Sequence, residues 1–559
     1  PAVRQAQRSP RRCGAPLRRA CRAARLRAPY PYAHRSPSCA PFAPYTRKPH
    51  TPVYPVQIDY SRVVYFTSSQ SARTEEPWPK HFTGREHELS ELNRLYRKSE
   101  FQMVVLYGRR RVGKTTLAFE FAKDKPTLAF TAKVQSDAMN LADFSRTINE
   151  HFGLPLDTAF SSWDQAFSFV ARQAREQHLV FIFDEFPYAA SASSGLLSSL
   201  QAIIDHQLSH TNIFFIITGS NQGFMEEKVL GDASTGSVRA LGERNPLFGR
   251  RTAQIHLAPF SYLEAAQMLA STEPEQLVAY YACFGGTPYY LSMIDEDQTL
   301  LENLERLFFT KEGLLYEEPL MLLRQELREP AVYSSILDAI ANGANRQHQI
   351  ADRVGEERTK VGKYLLTLRS MGLIRRTAPF GENAQTSRKG IYQLAEPCFA
   401  FWYRFVQRHI DAIEQHAGSL VLLETLQPDI LATYTGHWFE EICRAWLIDQ
   451  AKLGETPFTP TAFGSWWGAN PATRQQEEID VVIGNPVRKQ LLVGECKWRN
   501  QVNEREALEL LAERARLVPG YEQTWRALFT KEPVSTSTRA RYANDRVLFV
   551  CAEDIYRDR

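Results

Sequence analysis

The sequence predicts an α/β protein that begins with a doubly wound parallel sheet and continues with helical segments and a smaller α/β domain. Three apolar runs of strand length, at 103–107, 179–183 and 213–217, each lead into glycine or polar residues, as at the carboxyl edge of a parallel sheet. Alternating apolar residues at 478–498 indicate a later strand pair. At 559 residues the chain is too long for one hydrophobic core, so we expect several domains.

The first apolar run, 103–107, leads directly into the loop GRRRVGKT and then into a helical pattern. Strand, glycine loop and helix in this order are the context of a P-loop. Gly108 and Gly113 let the backbone N–H groups face phosphate oxygens, Lys114 reaches the β- and γ-phosphates, and the hydroxyl of Thr115 takes a Mg²⁺ position. The predicted ATP-binding residues of this loop are Gly108, Arg109, Arg110, Arg111, Val112, Gly113, Lys114, Thr115 and Thr116.

The second and third runs end in side chains that suit the phosphates of the same nucleotide. Asp184 and Glu185 follow five apolar residues, so we expect Asp184 to hold Mg²⁺ through water and Glu185 to orient or deprotonate the attacking water. Ser220 and Asn221 close the third run, where they either sense the γ-phosphate or form a plain turn. Arg250 follows a glycine-containing loop and is either a catalytic transition-state arginine or part of a solvated turn.

Six strings occur in order between residues 78 and 291: GRRRVGKTT, FIFDEFPY, TGSN, PLFGRR, LAPFSYLEA and FGGTPYYL. This part of the chain resembles the archaeal-type ATPases, which belong to the signal-transducing P-loop group near AAA+. The resemblance implies ATP hydrolysis with Mg²⁺ and a helical lid after the sheet. It also implies that Gly285, Gly286 and Pro288 lie in that lid near the base of the nucleotide.

Residues 331–395 predict a winged helix-turn-helix, because three helical patterns precede two short strands around a polar hairpin. The apolar side of the third helix is expected to consist of Val361, Leu365, Leu366 and Leu368. The same helix carries the cations Arg358, Lys360, Lys363 and Arg369. These cations suit DNA phosphates, although such modules also serve as spacers or docking surfaces, and both interpretations stay open.

The C-terminal strand pair brings two acids and a lysine together. The strands are predicted at 478–483 and 489–498, joined by a Gly-Asn-Pro turn. Because side chains two residues apart share a face, Glu495 and Lys497 point the same way, and Asp480 on the neighbouring strand can meet them. Two carboxylates and a lysine can hold a divalent metal and activate water for phosphodiester attack, or they can form a salt-bridged hairpin without catalysis.

The strings WWG, EID and ECKW resemble a PD-(D/E)xK nuclease core and match the tail domain that accompanies this ATPase family. The resemblance implies that Asp480 and Glu495 are metal ligands and that Lys497 is catalytic, with Glu440 or Glu441 as an additional acid. The sequence lacks the proline expected before Asp480. We therefore expect an ATPase that acts on DNA, with metal-dependent nuclease activity as one outcome and a nucleotide-gated regulatory scaffold as the alternative.

Basic residues are concentrated at the start of the chain. Residues 1–58 contain eleven Arg, one Lys and no acidic residue, whereas the net charge of the whole chain is only +4. Residues 1–77 show no apolar periodicity, and three interpretations stay open: an overextended gene model, a disordered basic arm, or an Arg-rich organelle transit peptide. We exclude this segment from the fold prediction.

The eight cysteines are scattered without CxxC spacing, which favours free thiols in a reducing compartment and a cytoplasmic protein. No apolar run approaches the roughly 20 residues of a membrane helix. We expect ATP as a ligand and DNA as a partner that binds through the winged helix, and an oligomer is compatible with the sequence. The predicted segments are the tail 1–77, the ATPase with its lid 78–295, a helical linker 296–330, the winged helix 331–395, a second linker 396–430 and the nuclease-like domain 431–559.

Overall fold

The computed structural model describes residues 82–230, 247, 249–269 and 272–557, so the predicted basic tail at 1–77 lies outside the described residues. The first sheet has five parallel strands in the order β2-β3-β4-β1-β5. Every residue of β1, β3 and β4 is buried, because helices cover both faces of the sheet. The prediction of an α/β fold with a parallel sheet is confirmed. The strands are β1 (Gln102–Tyr107), β2 (Thr127–Thr131), β3 (Val180–Asp184), β4 (Phe214–Gly219) and β5 (Ala253–His256).

The order of these strands decides what meets at the carboxyl edge. Strand β4 lies between β1 and β3, with Val104 beside Ile216 and Ile182 also beside Ile216. The loop after β1, the acids after β3 and the polar residues after β4 therefore share one edge of the sheet.

The helices of this first part flank the sheet, and two of them have serine N-caps. Ser136 accepts a hydrogen bond from the N–H of Met139, and Ser162 accepts one from the N–H of Gln165, which satisfies N–H groups that have no partner inside the helix. The helices are α1 (Glu86–Tyr96), α2 (Lys114–Ala122), α3 (Asp137–Phe152), α4 (Trp163–Gln173), α5 (Phe186–Ala192), α6 (Leu196–His206), a 3₁₀ turn (Leu208–His210), α7 (Gln222–Phe224) and a π-helical turn (Met225–Leu230).

Five helices follow β5 and pack against one another through their apolar sides. Ser261 and Thr299 form capping boxes with Glu264 and Glu302, which fixes where two of these helices begin. The five are α8 (Tyr262–Met268), α9 (Pro274–Phe284), α10 (Pro288–Leu291), α11 (Leu300–Phe308) and α12 (Glu318–Glu326).

Three helices and a two-stranded antiparallel hairpin come next, and we call residues 330–394 the helix–hairpin segment. On α15, Val361, Leu365 and Leu368 are buried as expected, but Leu366 is 48% exposed and its predicted inward position is wrong. Consecutive helical residues point about 100° apart, so Leu366 cannot share the face of Leu365. The elements are α13 (Pro330–Ala341), α14 (Gln347–Val354), α15 (Arg358–Ser370), β6 (Ile374–Thr377) and β7 (Ile391–Leu394).

A second five-stranded sheet, with the order β12-β11-β10-β9-β8, forms the last part of the chain. Strand β9 is antiparallel to both of its neighbours, β8 and β10, whereas β10, β11 and β12 run parallel to one another. The strands are β8 (Ala462–Ala469), β9 (Gln476–Asn485), β10 (Gln490–Lys497), β11 (Gln523–Thr530) and β12 (Val547–Cys551). The helices are α16 (Pro397–Phe401), a π-helical turn (Trp402–Val406), a 3₁₀ turn (Gln407–His409), α17 (Ile410–Glu414), α18 (Gly418–Thr425), α19 (Pro428–Leu453), α20 (Glu504–Ala515), α21 (Thr536–Arg541) and α22 (Ala552–Ile555).

The hairpin of the helix–hairpin segment packs against this second sheet. The N–H of Phe380 donates a hydrogen bond to the carbonyl of Ser465 at 2.8 Å, and its ring lies in an apolar cluster with Ile479 and Val482. Gly484 leaves room for that ring, since a Cβ there would lie 2.9 Å from Phe380 Cζ. One apolar cluster also runs from Phe260 to Tyr556. The predicted segment boundaries stay predictions.

Within the described part of the chain, no helix combines the length and the apolar composition that crossing a membrane requires.

Candidate functional site

The P-loop forms the turn between β1 and α2. Gly113 has a φ of +88°, a conformation that glycine adopts without strain, and Lys114 is the first residue of α2. The Lys114 side chain is buried, and its Nζ donates a hydrogen bond to the carbonyl of Arg109 at 2.9 Å. Burial lowers the pKa of Lys114, while Glu185 and Asp184 act in the opposite direction. The loop thus holds a buried cation at a helix N-terminus, where phosphates bind.

Asp184 collects hydroxyl groups from two neighbouring elements. The hydroxyl of Thr115 donates to its carboxylate oxygens at 3.0 and 3.1 Å, and the hydroxyl of Thr218 also donates to it. The carboxylate is buried, and this burial raises its pKa. Hydroxyl and carboxylate oxygens are the donors that Mg²⁺ prefers, so Thr115 and Asp184 fit the metal of a bound nucleotide.

Glu185 lies beside the tip of β4. It has a φ of +50°, which is uncommon for a residue with a side chain, and its carboxylate accepts hydrogen bonds from Ser220 Oγ at 2.9 and 3.1 Å. Ser220 therefore holds the acid in place. Asn221 is exposed, and its Oδ1 accepts the N–H of Phe224 at 2.9 Å, as a turn residue does. Contact between Asn221 and the nucleotide stays a prediction.

The three consecutive arginines of the P-loop each pair with an acid from the later part of the chain. Arg109 and Glu396 are both buried, and Arg109 also donates to Thr287. The pairs are Arg109–Glu396 at 2.6 Å, Arg110–Glu326 at 3.0 Å, and Arg111–Glu318. Sequence reasoning did not find these acids, because they lie in no local motif and are brought to the loop only by the packing of later helices.

Glu326 ends helix α12 and faces the same space as the P-loop lysine. Burial raises its pKa to about 7, Arg110 and Lys114 lower it, and Glu185 raises it. The carboxyl group therefore lies within electrostatic reach of both Lys114 and Glu185. It is a candidate for the nucleotide site that the sequence did not indicate.

The Gly-Gly-Thr-Pro element lies against the Arg109–Glu396 pair. Gly285 has a φ of +69°, and a Cβ there would lie 2.6 Å from Glu396 Oε1. Pro288 is the first residue of α10. A cavity of about 260 Å³ lies beside this element and includes Arg109 and Glu396 in its lining. Contact between Pro288 and the base of a nucleotide stays a prediction.

Arg250 lies at the other edge of the sheet. It precedes β5, whose first residue, Ala253, is beside Val104, and its guanidinium forms a two-point ion pair with Asp205 at 2.6 and 2.7 Å. Since the strands of a parallel sheet start at the edge opposite the P-loop, Arg250 lies away from the P-loop of its own chain, and its role as a transition-state arginine stays a prediction. Local spacing could not show this, because Arg250 is placed by the strand that follows it.

Arg85 is a further residue that sequence reasoning missed. It precedes α1 and is buried, and its guanidinium donates to the carbonyls of Val112 at 3.2 Å and Ala258 at 2.6 Å. Its side chain also lies 4.5 Å from the ring centre of Phe260. Arg85 therefore ties the P-loop to the segment that leads into the helices after β5.

The predicted acids and lysine of the second sheet do come together. Asp480 accepts the N–H of Cys496 at 2.8 Å, so β9 and β10 place it beside Glu495. Lys497 Nζ lies 2.6 Å from Glu495 Oε1, and Arg514 Nη1 lies 3.2 Å from Glu495 Oε2. Both oxygens of Glu495 are thus bonded to cations.

Helix α19 adds a third acid to this cluster. Burial and the charge of Asp480 raise the pKa of Glu440 well above its ordinary value, and burial and the charge of Glu495 raise that of Asp480. Glu441 differs, because Arg375 and Arg444 bind it and lower its pKa although burial acts in the opposite direction. We call Glu440, Asp480 and Glu495 the acidic cluster.

No group of three or more His, Cys, Asp or Glu side chains in the described ranges is arranged to hold a metal ion. Metal ligation by Asp480 and Glu495 therefore stays a prediction, as does a catalytic role for Lys497. Of the two acids that the sequence left open on α19, it is Glu440 that lies next to Asp480.

The cations predicted on α15 are partly neutralised. Lys360 lies 3.2 Å from Glu356, and Arg358 lies 4.0 Å from Asp352. DNA contact through this helix stays a prediction.

Two segments match known families. Residues 82–294 match an ATPase domain predominantly from Archaea, and residues 402–509 match archaeal and bacterial proteins of unknown function. An uncharacterized protein of Methanocaldococcus jannaschii is 29% identical over 419 residues, which cover 75% of this chain and 88% of that protein. An uncharacterized ATP-binding protein of the same organism is 43% identical over 44 residues, which cover 8% of this chain and 75% of that protein.

Among solved structures, a Walker-type ATPase of Pyrococcus abyssi is similar over 58% of this chain and 96% of its own, with 21% identity and a TM-score of 0.44. The match of residues 82–294, taken with the P-loop geometry, supports an ATP-binding, ATPase-like function.

Proposed function

We propose that the protein hydrolyses ATP and uses the nucleotide state to control a DNA-cleaving domain at the second sheet. The observation that carries the ATPase half is the convergence of Lys114, Asp184 and Glu185 at one edge of the first sheet. A buried cation, a hydroxyl-bonded acid and a second oriented acid are the side chains that phosphoryl transfer to water requires.

The hydrolysis step assigns one role to each side chain. The oxygen of a water molecule attacks the γ-phosphorus, the bond between that phosphorus and the β–γ bridging oxygen breaks, and Glu185 takes the proton. Ser220 keeps Glu185 oriented, and Lys114 stabilises the charge on the phosphate oxygens. Mg²⁺ bound beside Thr115 and Asp184 would neutralise further phosphate charge.

The proposal of DNA cleavage rests on the acidic cluster. The order of helix α19, three antiparallel strands, helix α20 and a parallel strand resembles a restriction-endonuclease core. Asp480 and Glu495 would hold a divalent metal, which supplies an activated water for phosphodiester attack. Lys497 would stabilise the developing phosphate charge, and Glu440 would add a further oxygen ligand.

Ion pairs link the P-loop site to the acidic cluster, which supports control of the second sheet by the nucleotide. Arg109 of the P-loop pairs with Glu396, which follows the end of strand β7 of the hairpin after one intervening residue, Ala395. The partner strand β6 carries Arg375, which binds Glu441 next to Glu440. If ATP displaced Arg109, the displacement would therefore reach helix α19, which carries Glu440 of the acidic cluster.

The second candidate is a nucleotide-gated regulatory protein in which the second sheet is a scaffold. It is favoured by the two cations that bind Glu495, because a carboxylate neutralised by Lys497 and Arg514 needs no metal. A cleavage assay on supercoiled and linear DNA with Mg²⁺ or Mn²⁺, with and without ATP, decides between the two.

Cleavage that is lost in Lys497→Ala and altered by ATP in the parental protein supports the first candidate. Cleavage that survives in Lys497→Ala comes from a contaminant and counts against it. Absence of cleavage under every condition, with ATP hydrolysis intact, leaves the regulatory function.

A further inference from the structure

A basic cavity lies in the helix–hairpin segment, and none of the predicted cations of α15 lines it. It has a volume of about 190 Å³ and lies between the start of α14 and the far end of the hairpin. Arg346 and His348 line it from the α14 side, and Arg376 and Arg388 line it from the hairpin side. A volume below the roughly 300 Å³ of small-molecule sites suits one phosphate group better than a whole nucleotide.

The hairpin wall of this cavity is held by Arg376. Its guanidinium donates to the carbonyls of Ala384, Gln385 and Ser387, with distances of 2.6 Å to Gln385 and 2.8 Å to Ser387. Gly390 gives it room, since a Cβ there would lie 2.8 Å from Arg376 Nη2. Arg376 Nε is buried and has no hydrogen-bond partner among the described residues. These hydrogen bonds therefore hold the hairpin wall in place, and the Nε–H of Arg376 is a donor without a partner among the described residues.

The other two arginines of the cavity are not neutralised. Within the described ranges, Arg346 and Arg388 form no ion pair. Glu382, an acid of the hairpin, is instead bonded to Lys389 at 2.8 Å and to Ser387 at 2.6 Å. The cavity thus presents excess positive charge, whereas Lys360 on α15 is paired with Glu356.

The cavity also lies next to a larger cationic surface. Gln347 donates to the carbonyl of Arg358 at 2.8 Å, which places the start of α15 beside the cavity. Arg358 and Lys363 are exposed on that helix. A ligand with several phosphates in a row can engage both places at once, whereas a single phosphate group would use only the cavity.

We propose that this cavity binds a backbone phosphate of double-stranded DNA and is the main DNA anchor of the helix–hairpin segment. The inference rests on the proposed action on DNA and specifies where the contact is made. The contact would fix the position of the protein on DNA without reading the sequence.

The test measures fluorescence anisotropy of labelled DNA duplexes of two sequences with the full-length protein over a range of salt concentrations. Arg346→Glu/Arg388→Glu should weaken binding to both duplexes by about tenfold or more and make the salt dependence shallower by about 1 to 2 units of slope. The matched control, Lys98→Glu/Arg175→Glu, makes the same charge change at exposed positions of the first part of the chain and should bind almost as the parent does.

Equal losses in the cavity variant and the control would show a general charge effect and overturn the inference. Parental binding in the cavity variant, with a loss in Arg358→Glu/Lys363→Glu, would also overturn it while leaving the proposed action on DNA intact. If the parental protein binds no duplex, both proposals fail. A melting curve and an ATPase rate equal to the parent's show that each variant is folded.

Discussion

The P-loop site and the acidic cluster both gather carboxylates beside the strands of a sheet, but they balance charge in different ways. In the P-loop site, Asp184 accepts two hydroxyl hydrogen bonds and lies near Lys114. In the acidic cluster, burial and the charge of Asp480 raise the pKa of Glu440, and burial and the charge of Glu495 raise the pKa of Asp480. One site offers cations and N–H groups, and the other has excess acid.

This difference indicates the charge of each ligand. A site with a buried lysine at a helix N-terminus suits an anion such as the phosphates of ATP. A site in which buried acids repel one another suits a cation, which would relieve the cost of ionising them. The four predictions below test this contrast, beginning with the largest expected effect.

Lys114→Ala should abolish ATP binding and hydrolysis, because the phosphates lose the buried cation of the loop. Calorimetric titration with ATP and a phosphate-release assay measure the two effects. The control is Lys123→Ala, which removes a lysine that is 75% exposed and should change neither. ATP binding at parental affinity in Lys114→Ala would contradict the anion-site interpretation.

Glu185→Gln should keep ATP binding and slow hydrolysis by about 10²–10⁴-fold, the usual contribution of a general base. A single-turnover assay with bound ATP separates the chemical step from binding. Ser220→Ala should produce a smaller decrease, since it loosens the acid without removing it. A parental hydrolysis rate in Glu185→Gln would show that another group accepts the proton.

Mn²⁺ should stabilise the full-length protein through the acidic cluster. At a metal concentration of about 100 times Kd, the free energy of unfolding should rise by about 2.7 kcal/mol. Thermal melts with Mn²⁺ and with a chelator measure the shift, which should be lost in Asp480→Asn. The control Glu522→Gln changes an exposed acid of the same sheet that is paired with Lys489 and should keep the shift.

These melts are recorded without nucleotide, so that no Mn²⁺–nucleotide complex binds at the P-loop site and adds to the shift. An equal metal shift in parent and Asp480→Asn would assign the metal to another place and remove the contrast between the two sites.

Glu326→Gln should flatten the pH dependence of stability. The pKa of Glu326 is raised from 4.5 to about 7, so the folded state holds its proton over that interval while the unfolded state loses it. Its favourable contribution is fully present below pH 4.5 and is lost as the pH rises through about 7. Between these limits the parental free energy of unfolding should fall by at most about 3 kcal/mol relative to the variant.

Urea unfolding of both proteins at a series of pH values measures this difference. Glu317→Gln, which removes an exposed acid just before the same helix, is the control for the loss of one carboxylate. Parallel curves for Glu326→Gln and the parent would show that Glu326 is not protonated beside the P-loop.

Local sequence patterns determined much of both sites. The run before Gly108, the glycine loop and the helix after it are contiguous in the chain, so their spacing alone predicts the turn that places Lys114 and Thr115. Strand alternation likewise predicts that Glu495 and Lys497 share a face and that Asp480 lies beside them. Helical periodicity predicts helix α15, but the predicted inward position of Leu366 is wrong, because its immediate neighbour Leu365 is the buried residue.

Only the tertiary structure decided which distant groups complete the sites. Glu318, Glu326 and Glu396 reach the P-loop arginines because helix α12 and the start of α16 pack against that loop. Arg250 lies at the edge of the sheet opposite the P-loop because the parallel pairing of β5 with β1 fixes where strand β5 starts. Ion pairs between residues far apart in the chain cannot be predicted from sequence periodicity, since they depend on how apolar surfaces pack rather than on local backbone geometry.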